Sequence, residues 1–94
     1  MAKVIVQHEV ADYATWLAVF NEHAGIRKSH GATGHSVSRG VTDANSIVIV
    51  NDFATLDGAL AFTQDPSLPA AMAKGGVTGH PQVWIMNEAD AAAY

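Results

Sequence analysis

The sequence predicts an α+β domain, a four-stranded antiparallel sheet with helices on one face, and three observations predict it. Apolar and polar residues alternate over 3–10, as on a half-buried strand. Tyr13, Trp16, Leu17, Phe20 and Ala24 then recur at three- and four-residue steps, as on one face of a helix. The same strand-then-helix order returns from residue 45 onward, after a reversal.

Each element has its own signals. In the first strand Val4, Val6, His8 and Val10 share a face, opposite Lys3, Ile5, Gln7 and Glu9. Asp12 suits a helix N-cap, because its carboxylate can accept the free N–H groups of the first turn. Arg27, Lys28 and His30 sit where the helix dipole is negative, and Gly31 can take the left-handed position that ends the helix. Residues 33–41 and 45–53 are read as two strands joined by a tight reversal at Asp43-Ala44-Asn45. Ile47-Val48-Ile49-Val50 is apolar on both faces, which places this strand inside a sheet covered on both sides.

Thr55 caps a second helix that turns Leu56, Ala59, Leu60 and Phe62 inward. Asp65-Pro66 interrupts it, since the residue before proline avoids the helical region. A short helix resumes through Leu68, Ala71 and Met72, with Pro69 in its first turn, and ends at Gly75-Gly76. Residues 77–81 are read as a loop, 82–87 as the last strand, and 87–94 as an Ala-rich tail. The order is β-α-β-β-α-β within one domain over 1–94, the split-βαβ, ferredoxin-like plan. Right-handed crossovers put both helices on one face. The other face is then bare, and a second copy of the chain is expected to cover it, giving a homodimer through the sheet faces.

Composition agrees with pairing. The 94 residues are 49% apolar and only 15% charged, a high ratio for a small domain with a large surface. There is no Cys, which excludes disulfides, thiolate zinc sites and cysteine nucleophiles. The net charge is -4 and no basic cluster exceeds Arg27-Lys28, so neither nucleic acid nor an anionic membrane is an expected partner. The N-terminus lacks the apolar core of a signal peptide and no run approaches a membrane span, so a cytoplasmic location is the default expectation.

No phosphate loop, nucleophile elbow or H-E-x-x-H motif is present. Topology carries the functional expectation instead. The first and third strands are read as central and pointing the same way. That gathers His8, His35 and His80, together with Asn51 and Asp52, at one end of the sheet. A cleft between sheet and helices, walled by Trp16, Phe20, Phe62 and Met72 and reached by these polar groups, suits a small molecule. Strand parity puts His8, Asn51 and Phe53 under the helices and turns Asp52 toward the partner. A three-residue hairpin loop would set His35 beside Asn51, and this is the preferred reading; a two-residue loop would turn it outward and send Ser36 and Ser38 inward.

Plainer roles stand beside these. His8 can be a hydrogen-bonded core residue, and Trp16 and Phe20 simple core. His80 can be a solvated loop residue, His23 a surface or cleft-rim residue, and His30 a dipole-compensating one. A metal site from His8, His35 and His80 has no chelating spacing and no carboxylate, so no metal is expected.

Several segments also carry a family resemblance. They are His8, Val10, Asp12, Tyr13, Trp16 and Phe20; Gly31 with His35; Asn51 to Thr55; Ala59 to Phe62; Asp65 to Leu68; and Gly76 to Trp84. Over about residues 4–86 the chain resembles the small dimeric α/β-barrel proteins, in the subgroup labelled cyclase-like or antibiotic-biosynthesis-monooxygenase-like. The resemblance implies a homodimer with facing sheets and one pocket per subunit. It also implies a first-strand pocket histidine, here His8, and a loose match of Asn51 and Trp16 to the Asn–Trp arrangement of cofactor-free monooxygenases. The Tyr–His pair of plant polyketide cyclases has no counterpart, because Phe62 to Met72 contains neither residue.

The expectation is a cofactor-independent enzyme, of monooxygenase or cyclase/isomerase type, on a small aromatic or enolisable, polyketide-like substrate. His8, His35 and Asn51 would be catalytic, and Trp16, Phe20, Phe62, Met72 and His80 would hold the substrate. The alternative is a small-molecule-binding or regulatory module without chemistry.

Overall fold

A computed structural model describes residues 1–94. The chain runs β1 (Ala2–Val10), α1 (Tyr13–Glu22), α2 (Ala24–Ser29), β2 (Ala32–Arg39), β3 (Ser46–Phe53), α3 (Leu56–Thr63), α4 (Ser67–Lys74) and β4 (Val77–Asn87). The strands form one antiparallel sheet in the order β2-β3-β1-β4. This is the ferredoxin-like α+β plan, with the second helix interrupted at Asp65-Pro66 as read from sequence and the first also divided in two.

The caps read from sequence are in place. Asp12 accepts the Thr15 N–H and Thr55 accepts the Gly58 N–H. Gly31 has φ +90 and ends α2 in the left-handed region, where glycine carries no side-chain penalty. Strand parity also holds. Ala2, Val4, Val6, His8 and Val10 of β1 are buried under the helices, as are Ile47, Ile49, Asn51 and Phe53 of β3. With Trp16, Ala59 and Phe62 their apolar members make one core cluster.

Four expectations are corrected. The central strands β1 and β3 run antiparallel, not parallel, with Val4 opposite Asn51 and His8 opposite Ile47. The reason lies in the connections. A helix returns the chain, so the strands it joins are the parallel ones: β1 with β2, and β3 with β4. A strand of the other pair is inserted between each. His8 therefore lies at one end of the sheet, while Asn51 and its partner His35 lie toward the other. Four residues of register separate them along the strands, about 13 Å.

The segment 77–81 is strand, not loop. The ladder to β1 jumps from Gln7↔Gln82 to Glu9↔Thr78, so Gly79, His80 and Pro81 form a bulge opposite His8. Proline is tolerated there because β4 is an edge strand. The first helix also breaks, at His23, where the Arg27 guanidinium donates to the Phe20 carbonyl at 2.7 Å. The β2–β3 connection spans residues 40–45 instead of a tight reversal, yet its register sets His35 opposite Asn51, as preferred.

The far face of the sheet carries no helix. Lys3 and Asp52 form an ion pair there, Gln7 donates to Ser46, and Trp84 and Met86 are 41% and 48% exposed.

Candidate functional site

A cavity of about 90 Å³ lies between the sheet and the helices. Its floor is Val4, Val6 and His8 of β1 with Ile49 and Asn51 of β3. Its roof is Trp16 and Phe20 of α1, Arg27 of α2, Phe62 of α3, and Leu68 and Met72 of α4. A shallower groove beside it shares Val19, His23 and Ala71, so the cavity opens toward solvent between α1 and α4.

The floor holds buried polar atoms without a protein partner. His8 is 4% exposed and Asn51 3% exposed. Neither ring nitrogen of His8 has a partner, and neither does Asn51 Oδ1. His8 meets only the edge of Trp16, with ring centroids 5.6 Å apart. Burial pushes its pKa below the usual histidine value, which keeps the imidazole neutral at neutral pH. A neutral imidazole without a protein partner can accept a proton from, or donate one to, whatever fills the cavity.

The aromatic roof runs between the two ends. Trp16 stacks on Phe20 at 5.0 Å, and Phe20 meets the edge of His35 at 4.9 Å. Arg27 lies 3.7 Å over the other side of this sequence of rings, on Phe20.

A hydrogen-bonded chain ties the two helix breaks together. The Asp65 carboxylate accepts from His30 Nε2 at 2.8 Å and from Ser67 Oγ at 2.6 Å. The Ser67 hydroxyl proton is thereby committed, so His23 Nε2 donates to Ser67 Oγ at 2.9 Å. The His30 bond first, then the Ser67 side chain and N–H, hold the Asp65 carboxyl far below the carboxylate range. His23 is pushed down by burial first and by the Arg27 charge second, against an opposing pull from Asp65.

The structure places six sequence-predicted site residues in the cavity wall: His8, Asn51, Trp16, Phe20, Phe62 and Met72. It does not gather the histidines. His35 shares the covered face but is exposed outside the cavity, and His80 is exposed at the β4 bulge. The cause is the antiparallel pairing of β1 and β3, which sends Asn51 and His35 to the end away from His8. No group of His, Asp and Glu is arranged to hold a metal ion. Arg27, read from sequence as compensating the helix dipole, stands in the wall, and His23 stands where cavity and groove meet, in keeping with its cleft-rim reading. Their signal was present. Trp16, Phe20, His23 and Arg27 continue one stripe at four-, three- and four-residue steps.

Fold and cavity together define a ferredoxin-like α+β protein with a mostly apolar cavity under its helices. No family model and no curated protein matches the chain. Solved structures do. SnoaB, a cofactor-independent oxygenase from Streptomyces nogalater, superposes with a TM-score of 0.75 at 18% identity, over 96% of this chain and 94% of that one. The ActVA-Orf6 monooxygenase of Streptomyces coelicolor, in complex with nanaomycin D, gives 0.69 at 18% identity over 99% and 91%. An antibiotic biosynthesis monooxygenase gives 0.69 at 14% identity over 96% and 100%. The likeness shows the fold, that of antibiotic-biosynthesis-monooxygenase-like proteins. No helix is long and apolar enough to cross a membrane.

Proposed function

We propose that this chain is a cofactor-independent enzyme acting on a small aromatic or enolisable, polyketide-like molecule, of oxygenase or cyclase/isomerase type. One observation carries the proposal: His8 Nδ1, His8 Nε2 and Asn51 Oδ1 are buried, unpaired and set around a single apolar cavity. An unsatisfied buried polar group costs about 1–3 kcal/mol. A ligand that bonds them recovers that cost.

His8 is the base in this scheme. Its neutral ring takes a proton from a phenolic hydroxyl, or from a carbon beside a carbonyl. Trp16 and Phe20 hold the ring plane. The two polar positions are about 13 Å apart along the strands, so His8 and Asn51 do not meet at one atom. Proton removal at the His8 end instead sends charge through the conjugated ring to an oxygen near Asn51. The Asn51 amide, turned to present its NH2, would donate to that oxygen. The resulting carbanion either attacks a carbonyl of its own chain or reacts with dioxygen. In the latter case one oxygen atom enters a ring CH2 to make a carbonyl, and the other leaves with two hydrogens as water. The oxygenase SnoaB, of the same fold, is cofactor-independent, which favours this reading.

The test is oxygen uptake and product formation on a panel of anthrones and hydroxynaphthalenes. His8→Ala is expected to lose about 100-fold or more in turnover. Unchanged turnover would remove His8 from the scheme, and a ligand bound tightly but returned unaltered by the wild type would favour a binding module.

We also propose that a second copy covers the open face. Trp84 and Met86 lie there half-exposed beside Ile5, Val48 and Val50, and Lys3 and Asp52 are already paired. Sedimentation at micromolar concentration should give a dimer that Trp84→Ser weakens; a monomeric wild type would contradict it.

A further inference from the structure

Arg27 is only 5% exposed, and no carboxylate pairs with it. Its one hydrogen bond goes to the Phe20 carbonyl, and its guanidinium lies against the Phe20 ring. These contacts use one of five N–H donors and bring no negative charge. A buried cation is costly unless an anion accompanies it. The charge is felt inside the site, because it contributes to the downward shift of His23. Arg27's own shift has burial as its cause, with no acidic neighbour opposing it.

The position of the cation is as informative as its burial. The chain leaves β1 at the His8 end and travels back along the sheet through α1 and α2. Trp16, early in α1, touches His8. Arg27, late in α2, lies over Phe20, which touches His35, the register partner of Asn51. The cavity thus has a neutral basic end at His8 and a cationic, amide-bearing end at Arg27 and Asn51.

We propose that Arg27, with the Asn51 amide turned to present its NH2, receives the carboxylate of an aromatic acid whose opposite end lies against His8 and Trp16. The inference rests on the reading of the cavity as an aromatic-ligand site and adds the substrate class. A carboxylate is ionised throughout the neutral range, matches the guanidinium fork in two parallel bonds, and supplies the charge Arg27 lacks. Such a ligand also orients itself. Its acid selects the Arg27 end, and that delivers the reacting hydroxyl or carbon to His8.

The test uses two ligands of one shape, 6-hydroxy-2-naphthoate and its neutral amide, 6-hydroxy-2-naphthamide, titrated calorimetrically into the intact protein. The wild type should bind the acid about 10- to 100-fold tighter, the range of one charge-assisted bidentate contact. Arg27→Gln should erase that preference, weakening the acid by far more than the amide. Arg27→Lys should keep part of it, having charge without the fork. Equal binding of acid and amide to the wild type would overturn the proposal while leaving the cavity's aromatic role intact. So would an Arg27→Gln loss that falls equally on both ligands, since Arg27 would then only brace the helix break. Binding of neither ligand by the wild type would overturn both readings. Tight binding of the acid without turnover would sustain this inference and sink only the enzymatic one. Should Arg27→Gln fail to fold, the wild-type comparison still decides.

Discussion

On the covered face of the sheet, His8 and Asn51 are buried and their polar atoms go unpaired, whereas on the open face Lys3 pairs with Asp52 and Gln7 with Ser46. In the single subunit Lys3 and Asp52 are partly exposed and water can satisfy them, so pairing there contributes little to the subunit's own stability. His8 and Asn51 are almost fully covered by protein, so the lack of protein partners there is a standing cost. The difference separates roles. Polar groups that are paired where pairing matters least belong to structure or to an interface. Polar groups left unpaired where that costs most mark the cavity as the candidate site.

The contrast can be broken most forcefully at the core. Phe53 is fully buried, its ring tilted against Phe62 with centroids 5.3 Å apart, and Phe53→Ala should cost about 3–5 kcal/mol in urea unfolding. Val50→Ala, which removes only two methyl groups from the half-buried open face, should cost much less at concentrations too low for a second copy to cover it. Comparable losses would mean the open face is as buried as the covered one. Smaller in size and opposite in sign, His8→Leu should stabilise by about 1–2 kcal/mol while abolishing turnover, because it removes two unpaired buried nitrogens. A destabilised His8→Leu variant would mean the imidazole is a structural core residue.

A pH dependence follows with its sign. Burial lowers the folded-state pKa of His8, and lowers that of His23 with help from Arg27. The unfolded chain then binds more protons than the folded one between the usual histidine value and the lowered ones. Stability should be full above about pH 6.5 and fall as the pH drops through that window. His8→Leu should flatten the slope, leaving the His23 share. Still further acidification should remove the Asp65 contribution, since its depressed carboxyl must be protonated before the clasp to His30 and Ser67 is lost. The smallest effect is expected at Lys3→Met, which should move the melting temperature less than any change above.

Much of this was legible in the sequence, and what was not has identifiable causes. Strand faces follow from a period of two, a local property, and Val4, Val6, His8 and Asn51 were placed correctly. Strand direction is not local. It follows from how many times the chain is returned, and taking β1 and β3 as parallel moved His35 and Asn51 to the wrong end. Gly79 and Pro81 punctuate a chain strongly, and an edge-strand bulge uses the same residues as a loop. Arg27 and His23 were legible as a continuation of the Trp16–Phe20 stripe. A cation in the last turn of a helix has a ready explanation in the dipole, and that explanation concealed its burial.

The central claim is that His8 stands neutral and unpaired in the cavity and meets the ligand there. Its most direct test is a ¹⁵N NMR titration of the histidine side chains, with and without 6-hydroxy-2-naphthoate. The account predicts a His8 midpoint below 6.5 in the free protein, and a ligand-induced change larger at His8 than at the exposed His80. A His8 midpoint at or above 6.5, unmoved by saturating ligand, would contradict it.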